Sequence, residues 1–129
     1  MGFLFVSITN EHEGAHMITL QGSLDSSTYF DLDERIRNVL SSSPRLLVFD
    51  LERLDYISSM GIRSIVNARK AVKSKDGHVV LISPQSQIRK VFDIVSAWPR
   101  ETILSSRQEA DRYYDMLQKK EIEKSGSNN

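Results

Sequence analysis

The stretch Asp50–Arg63, DLERLDYISSMGIR, decides the reading of this chain. Just before it, Leu46-Leu47-Val48-Phe49 is an unbroken apolar run, as expected of a strand covered on both faces. After it, Ile62, Ile65, Val66, Arg69 and Val72 recur at helical spacing. The residues between read as a short loop that delivers two adjacent serines, Ser58 and Ser59, to the start of the helix. Hydroxyls there lie beside backbone N–H groups that have no intrahelical acceptor, and beside the positive end of the helix dipole. Such a place tolerates added negative charge, which suits it to accept a phosphoryl group.

Working outward, Phe3 to Thr9 alternates and is rich in β-formers, so it reads as a strand. Asn10 to Ala15 contains Gly14 and reads as a turn into a second strand, His16 to Gln21. Gly22 to Thr28 reads as a loop rich in capping residues. Tyr29, Leu32, Ile36, Val39 and Leu40 then share one helix face, which Ser41-Ser42-Ser43-Pro44 ends. Arg45 to Leu51 is a near-continuous apolar run and reads as a strand covered on both faces. The helix after Ser59 ends near Asp76-Gly77, and His78 to Ile82 is a further apolar strand. Ser83-Pro84 predicts a helix with proline at its first position, carrying Ile88, Val91, Phe92 and Val95 on one face. Pro99 stops it, Thr102 to Leu104 forms a short strand, and Ala110, Tyr113, Tyr114 and Leu117 mark a last helix. Glu121 to Asn129 is polar and reads as a disordered tail, leaving a domain over residues 1–120.

The order β-β-α-β-α-β-α-β-α predicts an α/β fold. It implies a mostly parallel sheet of about five strands, an antiparallel N-terminal hairpin and about four helices.

At 129 residues the chain is long enough for one domain with a real core. Lys plus Arg and Asp plus Glu number 17 each, which argues against nucleic acid, because phosphate-backbone binding draws on a basic excess. The chain has no cysteine, so disulfides and thiolate metal sites are excluded and a reducing, cytoplasmic setting is expected. The opening MGFLFVSITN lacks a basic n-region and is too short and polar for a signal or a membrane span. No Gly-rich phosphate loop, nucleophile elbow or carboxylate constellation is present, so neither a cofactor nor an enzyme is expected. Glu11-His12-Glu13 with His16 has the composition of a metal site, but a hairpin need not bring these residues together and no further ligand follows at metal-site spacing.

Order and motif together resemble the STAS domain, the fold shared by anti-sigma-factor antagonists and the cytoplasmic tails of sulfate transporters. The resemblance rests on Asp50, the pair Tyr56-Ile57, then Ser59 and Gly61 opening a helix, and on the Gly22-Ser23-Leu24-Asp25 turn. It implies that a serine kinase, itself the anti-sigma factor, phosphorylates Ser59, that the unmodified form binds this kinase, and that a serine phosphatase resets the switch. Ser58 is the second choice of acceptor. The resemblance also implies that Asp25, Ser58, Met60, Gly61 and Arg63 contact the partner. Two positions depart from the antagonist pattern: Ser58 stands where Asp is common, and Met60 where Ser or Thr is common. A kinase that reads the Asp would therefore miss this site. The alternative is a scaffold or regulatory subunit of the same fold, in a signalling or transport complex, with Ser59 unmodified.

Position alone assigns Ser59 to the N-cap, with Met60, Gly61 and Ile62 as the first helical residues and the Gly61 and Ile62 N–H groups turned to its oxygen. Gly61, lacking a side chain, would let a partner backbone approach. Arg63, one turn beyond Ser59, is the nearest cation of a basic stretch that continues through Arg69, Lys70, Lys73 and Lys75. Asp25 is equally a cap for the first helix. Asp50 reads as a strand end that orders the loop, and Tyr56, Ile57 and Trp98 as packing residues.

Overall fold

The computed structural model describes residues 2–94 and 98–126. Its five-stranded sheet has the order β1-β2-β3-β4-β5, with β1 antiparallel to β2 and the remaining neighbours parallel. The elements are β1 (Leu4–His12), β2 (Ala15–Leu24), α1 (Tyr29–Leu40), β3 (Leu46–Ile57) and α2 (Ser59–Lys73). After these come β4 (His78–Ile82), α3 (Ser86–Ile94), a 3-10 turn (Arg100–Thr102), β5 (Ile103–Leu104) and α4 (Arg107–Gly126). The predicted fold class and element order hold.

The sheet is covered on both faces. On one, Leu47, Phe49, Leu51, Leu54 and Ile57 of β3 join Leu32, Ile36 and Val39 of α1, Ile65, Ala68 and Val72 of α2, and Ile88 and Phe92 of α3. On the other, Met17, Leu46, Val48, Val80 and Ile82 pack against Ala110 of α4, with Tyr113, Tyr114 and Leu117 alongside. This double cover is why Leu46 to Phe49, the start of β3, is apolar at every position. The face of α3 reads as expected at Ile88, Val91 and Phe92; Val95 lies outside the described residues.

Several boundaries differ from the sequence reading. β1 runs to His12, through half of the expected Asn10–Ala15 turn, and Thr102, expected in the last strand, lies in the 3-10 turn. β2 runs on through Leu24, so the Gly22–Thr28 segment is half strand. β3 runs on to Ile57, so Asp50 does not end it and the expected loop shrinks to Ser58 alone. Two register shifts against β2 insert extra residues into β3, between Thr19 and Gln21 and between Gly22 and Ser23. Each resets the pleat, so Leu51, Leu54 and Ile57 all point inward although they are three apart. Pro84 lies outside α3, because Ser83 adopts a left-handed φ of 53° and turns the chain first. Finally, α4 continues to Gly126, past the residue 120 limit; its Glu121 carboxylate is paired with Arg45, just ahead of β3. Residues 127–129 lie outside the described residues.

Candidate functional site

Leu24 and Ile57 are register partners at the ends of β2 and β3, so the residues that follow them, Asp25 and Ser58, lie at the same end of the sheet. The Ser58 N–H donates to the Leu24 carbonyl at 2.8 Å, which fixes the point where β3 gives way to α2. Ser58 keeps an extended backbone (φ −92°, ψ 173°), and its Oγ accepts from the Gly61 N–H at 3.3 Å. The Ile62 N–H donates to the Ser58 carbonyl at 2.9 Å. Ser58 is therefore the N-cap, one residue earlier than the sequence suggested, and Ser59 is the first helical residue.

This shift separates the roles of the two hydroxyls. Ser58 is half-buried and its oxygen is engaged in capping. Ser59 is exposed, and its hydroxyl takes no hydrogen-bond partner among the described residues. Four residues on, Arg63 is exposed and lies on the same helix face as Ser59. Met60 is half-buried, and its carbonyl accepts from the Ser64 hydroxyl at 3.2 Å.

Gly61 does something other than admit a partner. It is buried, and a Cβ built there would lie 2.6 Å from Leu24 Cγ, 2.9 Å from the Leu24 carbonyl oxygen and 3.0 Å from Ile57 Cγ1. The glycine lets α2 start hard against the ends of β2 and β3, and it faces inward.

Asp25 does not cap α1, whose N-cap is Thr28 with no side-chain cap hydrogen bond; it orders the turn that enters the helix. Its Oδ1 accepts from the Ser27 N–H at 2.8 Å and from the Ser27 hydroxyl at 2.7 Å. The Ser27 hydroxyl, then the Ser27 N–H, hold the Asp25 carboxyl below the ordinary carboxylate range. Thr28 locks the same turn, accepting from the Asp25 N–H and donating to the Ser23 carbonyl, both at 2.9 Å. The turn thus presents a carboxylate on the rim that also carries Ser59.

Tyr56 is 55% exposed, a correction to its reading as a packing residue, whereas Ile57 is buried. Asp50 is buried within β3 and accepts from the Glu52 N–H at 3.1 Å. Two residues the sequence did not single out hold the end of β3. Beyond the last β4 pairing, at Asp50↔Ile82, Gln85 donates to the Glu52 carbonyl at 2.9 Å and Gln87 to the Asp55 carbonyl at 3.1 Å. Their side chains replace the missing strand as hydrogen-bond partners.

The histidines do not converge with Ser58 or Ser59: His78 meets Tyr113 edge-on. His12 stacks on Tyr114 and contacts Asp111, while His16 contacts Ser42. Trp98 is buried edge-on to Phe92, beneath the Arg69 guanidinium. No helix of the described residues is long and apolar enough to cross a membrane.

Comparison with known proteins agrees with this architecture. Over 98 residues the chain is 31% identical to BtrV of Bordetella bronchiseptica, by its name a candidate anti-sigma factor antagonist; the match covers 76% of this chain and 84% of BtrV. Its fold superposes on the anti-sigma factor antagonist SpoIIAA in its unphosphorylated form, with a TM-score of 0.76 at 19% identity, covering 86% of this chain and 97% of that one. It also superposes on a sulfate transporter family protein from Wolinella succinogenes, with a TM-score of 0.70 at 14% identity, covering 86% and 93%. The family model for the STAS domain matches residues 7–110, a span that includes the Asp25 turn and the start of α2: the chain belongs to the STAS domain family, and within it is similar to anti-sigma factor antagonists.

Proposed function

We propose that this chain is a partner-switching protein whose binding is controlled at Ser59. In the unmodified state the rim formed by Asp25, Ser58, Ser59, Met60 and Arg63 docks on an anti-sigma factor that is also a serine kinase. The kinase transfers the γ-phosphoryl group of ATP to Ser59 Oγ, and the hydroxyl proton is lost. The phosphorylated form no longer docks, and a serine phosphatase restores the hydroxyl. The observation that carries this reading is the division between the serines: Ser58 closes the helix, and Ser59 leaves a free hydroxyl at its mouth.

Magnitudes define what such a switch does. An anion at an exposed helix N-terminus gains about 0.3–1 kcal/mol, against a domain stability of about 5–15 kcal/mol. Phosphorylation therefore leaves the fold intact. A charge forced unpaired into a dry interface costs about 3–5 kcal/mol, which lowers affinity about a hundredfold or more. The switch acts on docking.

The test is incubation with the cognate kinase and ATP, followed by mass spectrometry, together with the affinities of Ser59→Ala and Ser59→Asp for that kinase. One phosphoryl group on Ser59, with alanine binding and aspartate not, supports the reading. Equal affinity of the two variants overturns it. Absence of any mass increase favours the second reading, an unmodified scaffold or regulatory subunit, which the serine in place of Asp at position 58 supports.

A further inference from the structure

The two edges of the sheet are built differently. β5 is a two-residue strand, Ile103–Leu104, and offers almost no edge. β1 spans Leu4–His12, and its register with β2 is unbroken from Leu4↔Gly22 to Asn10↔His16. In an antiparallel ladder, alternate residues turn both backbone groups toward the partner strand. The Phe3 carbonyl accepts from the Ser23 N–H at 2.8 Å, so Phe5, Ser7 and Thr9 also face β2. Leu4, Val6 and Ile8 direct their N–H and C=O groups to the free side. Consistent with this, the Val6 carbonyl receives Arg35 Nη2 of α1 at 3.3 Å.

Free edges are usually guarded by charge, proline, a bulge or shortness. Gly2 to Asn10 itself contains no charged residue and no proline, its register irregularity falls after Asn10, and the charge that reaches this edge is Arg35 of α1, at Val6. Phe3 is 81% and Phe5 65% exposed on one side of the strand, with half-buried Leu4, Val6 and Ile8 on the other. Beside the edge runs a groove of about 320 Å³ between β1 and α1, floored by Leu4 and Val6 and rimmed by Asp31, Glu34, Arg35 and Asn38. The rim carries acid and base together. Brought together antiparallel about a two-fold axis, two such rims would offer each other Asp31, Glu34 and Arg35, the last of which also reaches its own Val6 carbonyl.

We propose that β1 is a dimerisation edge: two copies of this chain pair β1 against β1, antiparallel, merging their sheets into one and placing their α1 helices side by side. A foreign strand added to the same edge would complete the ladder but would not bring its own copy of the Asp31, Glu34 and Arg35 rim.

Sedimentation of the full chain from about 10 μM to about 1 mM, the range in which weak association is read, gives its mass. Amide exchange of the same samples gives the edge. The expected result is a rise from one chain to two, with the Leu4, Val6 and Ile8 amides gaining protection as concentration rises while Phe5 and Ser7 are protected throughout. Phe5→Lys and Ser7→Lys place a charge on the exposed side of the strand without touching the core, and each should keep the chain monomeric with an unchanged circular dichroism spectrum. A mass that stays at one chain overturns the proposal, as do assembly beyond two and dimers that survive both lysines. If one lysine variant fails to fold, the other and the alternating amide pattern still decide.

Discussion

Gly61→Ala separates two explanations of the same glycine. If Gly61 were there to admit a partner's backbone, alanine would leave stability unchanged, or raise it by up to about 1 kcal/mol through helix propensity, and would weaken binding alone. The structure predicts otherwise. The new methyl carbon would stand 2.6 Å from Leu24 Cγ and 2.9 Å from the Leu24 carbonyl oxygen. Leu24 is fully buried among packed neighbours, and its carbonyl is held by the Ser58 N–H. Relief must come from moving the start of α2 outward. Overpacking of this kind costs about 1–3 kcal/mol. With a backbone atom among the contacts, the upper part of that range applies, and the helix-propensity gain offsets only part of it. The expected net loss is about 2 kcal/mol, or about 6–10 °C in melting temperature for a domain of this size. Denaturant unfolding and a thermal melt measure it directly. Because Ser58 and Ser59 ride on the displaced turn, partner affinity should fall as well. An alanine variant as stable as the parent would refute the packing argument, whatever its affinity.

Three further outcomes follow from the same geometry. Ser58→Ala removes the cap and should cost about 1 kcal/mol in denaturant unfolding, whereas Ser59→Ala should stay within about 0.5 kcal/mol of the parent. The double variant Gln85→Ala/Gln87→Ala strips the partners from the Glu52 and Asp55 carbonyls, at about 0.5–1.5 kcal/mol each, and amide exchange should show the end of β3 fraying before the rest of the sheet. The native Asp25 carboxyl titrates below its ordinary value of 3.8, so in that interval the unfolded chain holds more protons than the folded one. The turn's contribution is therefore complete above the unfolded value and is lost as pH falls through the folded one; thermal melts across the acid range should show a shallower acid limb for Asp25→Asn.

What the sequence disclosed tracks how regular each element is. β4, the first half of β3 and the buried faces of α1 and α2 repeat cleanly, so their type and order were legible. The second half of β3, LERLDYI, was not: its inward residues Leu51, Leu54 and Ile57 fall every third position, matching neither strand nor helix. Only the two bulges opposite β2 make that spacing a strand, and a bulge depends on the neighbouring strand. Gln85 and Gln87 were hidden for the same reason, since their value comes from carbonyls more than 30 positions away in the chain. The identity of the cap was ambiguous by one residue because Ser58 and Ser59 are chemically equal. The backbone distinguishes them, extended at the first and helical at the second.

That distinction bears on the serine that stands where antagonists of this family commonly carry Asp. Asp and Ser are near-equivalent N-caps, so replacing one by the other at position 58 preserves the start of α2 and the free hydroxyl after it. What changes is charge. An aspartate beside Ser59 would set a carboxylate against any phosphate placed on the next residue; Ser58 leaves that phosphate facing the helix N-terminus and the Arg63 face with no negative charge on the preceding residue. The folded site is indifferent to the exchange, whereas a kinase or phosphatase that approaches through electrostatic complementarity is not. Ser58→Asp therefore isolates the effect of charge: unchanged stability with altered phosphorylation by the cognate kinase places the divergence in recognition, and a loss of stability would show that the capping equivalence fails in this turn.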